Sequence, residues 1–195
     1  MDDFDIIQIE SISSLWDISD KDMLCTIYDD CFGNNGFDIT NGGEEFIVDE
    51  VANVFEKYVK SGLLILSRHK ETNKIIGFAA ALPLTKEVKV WNTVQNYLAD
   101  ALSYWYHADL GVMRQYRRKG LANEMAEKIL SLIPSNRIVM RARVDNEGSI
   151  ALHKKLGFTL LLDAEGQKIT QWVPAKRKIG KIIADERIFF TLHKN

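Results

Sequence analysis

The chain has 195 residues, two cysteines and a formal net charge of −2. That length suits one domain with room for a substantial core, and the near-neutral charge argues against a broad basic face for nucleic acid. Cys25 and Cys31 are too few for a disulfide framework and wrongly spaced for a CxxC pair, and no Cys/His cluster has zinc spacing. The start, "MDDFD", is acidic where a secretory signal is basic, and the longest apolar run, "IIGFAAALPL", falls short of the ~20 residues that span a bilayer. The expectation is a cytoplasmic protein with no metal, no membrane association and no nucleic-acid partner.

In chain order, "FDIIQIE" reads as a strand and the Leu/Ile/Met-rich residues from Leu15 to Tyr28 as a helix. "CFGNNGFDITNGGEEF" is loop by its turn chemistry. Val51, Val54, Phe55, Tyr58 and Val59 recur at helical spacing between Val48 and Val59, and Gly62 ends that helix in the usual C-terminal way. "LLILSRH" and "KIIGFAAALPL" are strands joined by the hairpin-length "KETN", with Pro83 ending the second. "EVKVWNTVQNYLADAL" reads as a helical insertion near 86–102 within a single domain, 1–195. "SYWYHADLGV" is a long strand, "RIVMRARV" another, and "EGSIALHKKL" a short helix. Gly157 suits a left-handed stop before the strand "FTLLLDA", and "ERIFFTLHK" is the last strand. A hairpin followed by alternating strands and helices gives an α/β class with a mixed sheet.

One stretch raises a physical question. In "LGVMRQYRRKGLANEMAEKIL" an apolar strand ends, cations follow, and Gly120 opens a helix with Leu121, Met125, Ile129 and Leu132 on one stripe. Glycine at a helix start costs about 1 kcal/mol relative to alanine. The compensating use is anion binding: unpaired N–H groups, a partial positive charge, and a backbone that a phosphate can approach. Spacing alone leaves an ordinary strand-to-helix turn equally open. No Gly-Lys-Ser/Thr follows, so this is not a P-loop, nor is it GxGxxG.

The segment Arg117-Arg118-Lys119-Gly120-Leu121-Ala122 resembles the Arg/Gln-x-x-Gly-x-Gly/Ala signature of the GNAT superfamily of N-acetyltransferases. A second block, "NEGSIALHKKLGF" from Asn146 to Phe158, is similar to that superfamily's Asn-x-x-Ala/Ser-Ile-x-Leu-Tyr-x-Lys-x-Gly-Phe. The resemblance covers roughly residues 104–158 and implies an α/β fold with a mixed, mostly antiparallel central sheet of about six to seven strands flanked by helices. It implies acetyl-CoA as co-substrate and no metal. The amides of Arg118, Lys119, Gly120, Leu121 and Ala122 would hold the pyrophosphate, with Arg117, Arg118 and Lys119 adding positive charge to the cofactor site. Two central strands would part beyond Val112, leaving main-chain groups of Leu110 and Val112 to the pantetheine arm. Asn146, with Ser149 in the same block, would meet the cofactor at a helix cap. Many relatives pair, so a homodimer is possible.

At the superfamily's acid position, a tyrosine, this chain has His153. It is either the group that protonates the departing thiolate or a histidine packed on its helix. For the base, strict alternation along "SYWYHADLGV" sets Tyr104, Tyr106 and Ala108 on one face and Trp105, His107 and Asp109 on the other. Tyr106 then either positions the amine or relays its proton, or serves as an aromatic wall around the acceptor or as packing against a helix. His107 and Asp109 look more like a base and its orienting partner but point away, unless a β-bulge reverses the parity.

Arg141 and Arg143 share a strand face and suit either an anionic acceptor or solvent. Glu44, Glu45, Asp49 and Glu50 suit either a cationic amine or a charged helix start. "AKRKIGK" reads as a solvated loop between the last two strands, with a further use as a contact for the nucleotide's 3′-phosphate. The function expected is acetyl transfer from acetyl-CoA to a primary amine of a small molecule or peptide. The alternatives are an acyl-CoA-binding or regulatory module without turnover, and a nucleotide-phosphate binder of unrelated fold.

Overall fold

The computed structural model describes residues 3–33 and 44–194, so part of the Gly/Asn-rich loop lies outside the described residues. The elements are β1 (Phe4–Ile9), α1 (Ile12–Ile18), α2 (Lys21–Phe32), α3 (Val48–Ser61), β2 (Leu63–His69), β3 (Ile75–Pro83), α4 (Val88–Val94), β4 (Trp105–Val112), α5 (Leu121–Leu132), β5 (Arg137–Arg143), α6 (Glu147–Lys155), β6 (Thr159–Leu160), β7 (Thr170–Lys176) and β8 (Ile182–His193). The strands form one sheet in the order β1-β2-β3-β4-β5-β8-β6, with β7 paired to β8. Every ladder is antiparallel except β4–β5.

β3 explains why the sheet has two covered faces. Its residues Ile75 to Leu82 are all buried, as expected for an apolar run enclosed on both sides. Phe78, Ala80 and Leu82 face a core built with Leu24, Phe55, Val90 and Tyr106, on the side of α1 to α4. Ala79 and Ala81 face a second core with Leu121, Met125, Ile129 and Phe158, on the side of α5.

Several expectations are corrected. The helix expected from Leu15 to Tyr28 is two helices, because Ser19 turns its hydroxyl back to the Leu15 carbonyl (2.6 Å) and Asp20 caps α2 through the Met23 N–H (2.7 Å). The sheet has eight strands rather than six to seven. The additional strand, β7, carries Pro174, which an edge strand tolerates, so it lacks a strand-like signature. "FTLLLDA" yields only the short β6, because β8 turns from β6 to β7 as its partner. Gly157 is left-handed as expected (φ 90°). Gly62 ends α3 as expected but at φ −158°, outside the left-handed region, and its requirement is space. A Cβ there would lie 2.1 Å from the Ala81 carbonyl oxygen and 2.7 Å from Leu82 Cβ.

Gly62→Ala should therefore push α3 off β3 and destabilise the fold by about 1–3 kcal/mol, the usual cost of forcing extra atoms into a packed site. Chemical denaturation reads this as a lower unfolding midpoint; an unchanged midpoint would mean that β3 yields easily.

Candidate active site

The site begins where the two central strands part. β4 and β5 pair in parallel only at Trp105–Ile138, Tyr106–Val139 and His107–Met140. Parting thus starts at Ala108, earlier than the expected Val112. The cause is a bulge: on β3, Ala80 pairs with Asp109 but Ala81 pairs with His107, so Ala108 is an extra residue in β4. A bulge bends its strand and sharpens the local twist, which carries β4 away from β5. The Met113 N–H bonds the Ile76 carbonyl (2.9 Å). By antiparallel alternation the main-chain groups of Leu110 and Val112 then turn away from β3, into the gap.

At the end of that gap the chain forms a turn of unusual backbone. Arg118 (φ 64°) and Gly120 (φ 88°) are both left-handed on either side of Lys119. Such strain at a non-glycine residue persists where the fold holds it and is concentrated at ligand clamps. Gly120 caps α5 with no side-chain hydrogen bond. Among the described residues the amides of Arg118, Lys119, Gly120, Leu121 and Ala122 meet no acceptor, whereas those of Asn123 and Glu124 bond the Gly120 carbonyl. Consecutive free N–H groups at a left-handed turn make an anion-binding concavity that fits a pyrophosphate. Arg117 is the exception in the segment. Its amide bonds the Arg114 carbonyl, and its guanidinium turns inward to the carbonyls of Val112 (2.8 Å) and Asp30 (3.1 Å). It locks α2 to the end of β4 instead of facing the concavity. Asn146 caps α6 by accepting the Ser149 N–H (3.0 Å), beyond the end of β5 and across the gap from β4.

On the side of α2 and α3, the gap opens into a cavity of roughly 140 Å³ lined by Tyr28, Tyr58, Glu87, Tyr106, Asp109 and Arg141, among others. The bulge puts Asp109 here. Its carboxylate accepts the hydroxyls of Tyr58 (2.5 Å) and Tyr28 (3.0 Å). Burial, and then the Asp109 charge, hold both phenols well above their ordinary pKa, so they stay neutral donors. Burial also raises Tyr106. Lys57 closes one side of the cavity through an ion pair with Glu87 (2.7 Å). Tyr28 and Tyr58 escape a reading of the sequence because each acts on a residue far along the chain.

His107 lies on the opposite face of β4, separated from Asp109 by the bulge. Its partner is His153, on α6. The Ser149 carbonyl can only accept, so His153 Nδ1 donates to it (2.7 Å). For the neutral ring, His153 Nε2 then accepts from His107 Nδ1 (3.1 Å). Both nitrogens of His153 are thereby engaged within the protein. His107 Nε2 keeps its lone pair, buried and without a partner. Burial drives the His107 pKa down to about 3, helped by the neighbouring ring, and burial lowers His153 too.

The charged runs are largely neutralised. Asp49 pairs with Lys21 (2.8 Å) and Glu45 with Lys176 (2.7 Å), so the acids near α3 are not a free cluster. In "AKRKIGK", Lys178 pairs with Asp29 (2.7 Å), and Arg177 is buried on Asp185 (2.5 Å) rather than solvated. Among the described residues no group of His, Cys, Asp and Glu gathers in a way that would hold a metal ion, and no helix is long and apolar enough to cross a membrane.

Comparison with known proteins agrees with this geometry. No curated protein sequence matches the chain significantly. Among solved structures, NAA60 of Arabidopsis thaliana, in complex with a bisubstrate analogue, superposes with a TM-score of 0.63 at 18% identity, covering 98% of this chain and 99% of that one. An N-acetyltransferase of Staphylococcus aureus gives 0.59 at 16% identity, with coverages of 97% and 98%. The yncA protein of Salmonella typhimurium, solved with its cofactor acetyl-CoA, gives 0.58 at 16%, with coverages of 100% and 95%. At such identities the likeness is one of fold. The sequence profile of the acetyltransferase (GNAT) family matches residues 22–158, across both sides of the gap, the left-handed turn and α6. The chain therefore belongs to the GNAT family of acetyltransferases.

Proposed function

We propose that this protein transfers the acetyl group of acetyl-CoA directly to a primary amine of a small molecule or peptide. The observation that carries the reading is a meeting at the bulge. Asp109 and Tyr106 line the cavity beside the unpaired edge of β4, and that edge leads to the free amides at Gly120. Acetyl-CoA supplies an acyl group activated as a thioester. The amides from Arg118 to Ala122 hold its pyrophosphate, and the main chain of Leu110 and the N–H of Val112, whose carbonyl Arg117 holds, receive the arm that crosses the gap. Asp109 draws the amine into the cavity and takes its proton as the acetyl group moves. The two tyrosines fix the carboxylate, and Tyr106 walls the acceptor. No histidine is needed as acid: a free thiol titrates near ~8.5, so a thiolate is a tolerable leaving group. His107 and His153, as a neutral pair, tie α6 to β4 at the fork.

One observation favours the second reading, an acyl-CoA-binding module without turnover. At the position of the family's tyrosine acid, His153 has no nitrogen free to donate. Release of free thiol from acetyl-CoA in the presence of an amine panel separates the two readings.

Gly120→Glu should abolish the rise in melting temperature caused by acetyl-CoA, a rise equivalent to about 2.7 kcal/mol at a hundred times Kd for the native protein. A retained rise would remove the pyrophosphate site. Asp109→Asn should lower kcat by about 10² to 10⁴, the usual worth of a positioned base, with acetyl-CoA affinity kept. An unchanged kcat would exclude Asp109 from proton transfer.

The histidine pair makes a stability prediction. His107 titrates near 6.5 when unfolded but at about 3 when folded, so its contribution is fully present above pH 6.5 and is lost as pH falls towards 3. The melting temperature of the native protein should decline across that window more steeply than that of a His107→Leu/His153→Leu variant. Parallel curves would refute the neutral pair.

A further inference from the structure

We infer that two copies of this chain pair about a two-fold axis through the outer face of the β7–β8 hairpin. The inference goes beyond acetyl transfer and stands apart from it.

Register defines the surface. β7 and β8 pair at Trp172–Glu186, Pro174–Ala184 and Lys176–Ile182, so these side chains share one face of the sheet. Further along β8 the same face carries Ile188 and Phe190, which are buried in the core on the side of α5. The cover stops there. Trp172 is 64% exposed and Ile182 73%, with Pro174 and Ala184 open between them. Val144 extends the row beside Glu186. Its N–H bonds the Glu186 carbonyl (3.1 Å), alternation from the buried Ala142 sets it on this face, and it too is exposed. A contiguous apolar face with a tryptophan in it has the composition of an interface core.

The open edge of β7 shows how a partner arrives. The Arg177 N–H bonds the Lys181 carbonyl (2.7 Å), so by antiparallel alternation the main-chain groups of Thr170, Trp172, Pro174 and Lys176 turn away from β8. Pro174 has no N–H to offer, and the Lys176 carbonyl is taken by the Glu45 N–H (2.8 Å). A strand added at this edge would meet an interrupted ladder, a device by which edges refuse strands. The partner therefore lies on the face.

Charge selects a second copy as that partner. At the base of the hairpin the face is acidic, with Glu186 and, in the first turn of α6 three residues after Val144, Glu147. At the tip it is basic, with Lys176 and Lys181. Among the described residues Glu147, Lys181 and Glu186 form no ion pair, and Lys176 holds only Glu45 (2.7 Å). Both partners of that pair are exposed, so it contributes little and exchanges readily. A two-fold axis crossing the hairpin at Pro174 and Ala184 lays the acidic base of each copy over the basic tip of the other. Trp172 then covers Ile182 of the second copy, and every contact occurs twice. A lipid surface or a polyanion would be attracted at the tip and repelled at the base.

The test is sedimentation velocity of the full chain over a concentration series. The dimer should dissociate with a Kd of about 10 μM or lower. Trp172→Ser with Ile182→Ser should raise that Kd about tenfold or more, and so should Glu186→Lys alone. Adding Lys176→Glu to Glu186→Lys should recover most of the lost affinity, because each reversed charge again meets its opposite. Melting temperature, and its rise with acetyl-CoA, check that every variant is folded. A chain that stays monomeric at about 100 μM, whether or not it co-sediments with phosphatidylserine vesicles, would overturn the inference. So would a dimer that survives the Trp172 and Ile182 substitutions, or a charge reversal that the second substitution does not rescue.

Discussion

Between Ala80, which pairs with Asp109, and Ala81, which pairs with His107, β3 has no partner for Ala108, and the geometry of the site follows from that mismatch. The extra residue turns β4 out of the β5 ladder after three pairs. It also reverses which side chains face which layer. His107 stays with α6, while Asp109 moves to the layer of α2 and α3 and meets Tyr28 and Tyr58. One local irregularity thus opens the gap between the strands and supplies the carboxylate beside it. Bulges are concentrated beside active sites because they re-aim a side chain without rebuilding the sheet.

The buried polar groups around the gap are arranged to hold this geometry. A carboxylate with two tyrosine donors, a histidine pair ordered by a carbonyl, and Arg117 clasping the Val112 and Asp30 carbonyls all join elements distant in sequence. In a low-dielectric interior such networks are costly to break, which makes them effective at fixing position.

The parts of this arrangement that rest on short-range chemistry were legible in the sequence. Gly120 at the head of an apolar stripe marks the start of α5, and Asn146 marks the cap of α6, because each residue's role depends on its immediate neighbours. The bulge was not fixed by the sequence, since "SYWYHADLGV" alternates as an ordinary strand and carries no glycine at Ala108. Its presence depends on β3 and β5, which set the register from outside. Tyr28 and Tyr58 were silent for the same reason: as aromatic residues on helices they read as core, and only the tertiary fold brings their hydroxyls to Asp109. Arg117 shows the opposite error. It sits inside a phosphate-binding signature, yet its side chain serves the scaffold. Gly62 ends α3 where its place in the sequence suggests, but its need for space comes from the closeness of β3, which is invisible along the chain.

The central claim is that the extra residue Ala108 parts β4 from β5 beside Asp109. Deleting Ala108 tests it directly, with the acetyl-CoA-induced melting shift and amine-dependent thiol release measured on the same preparation. The account predicts that, without the extra residue, Asp109 follows His107 directly and keeps the face of Tyr58 while β4 continues its ladder with β5, so the gap closes and thiol release with amines is lost although the turn at Gly120 still binds acetyl-CoA. Amine-dependent release at the rate of the unaltered chain would contradict it.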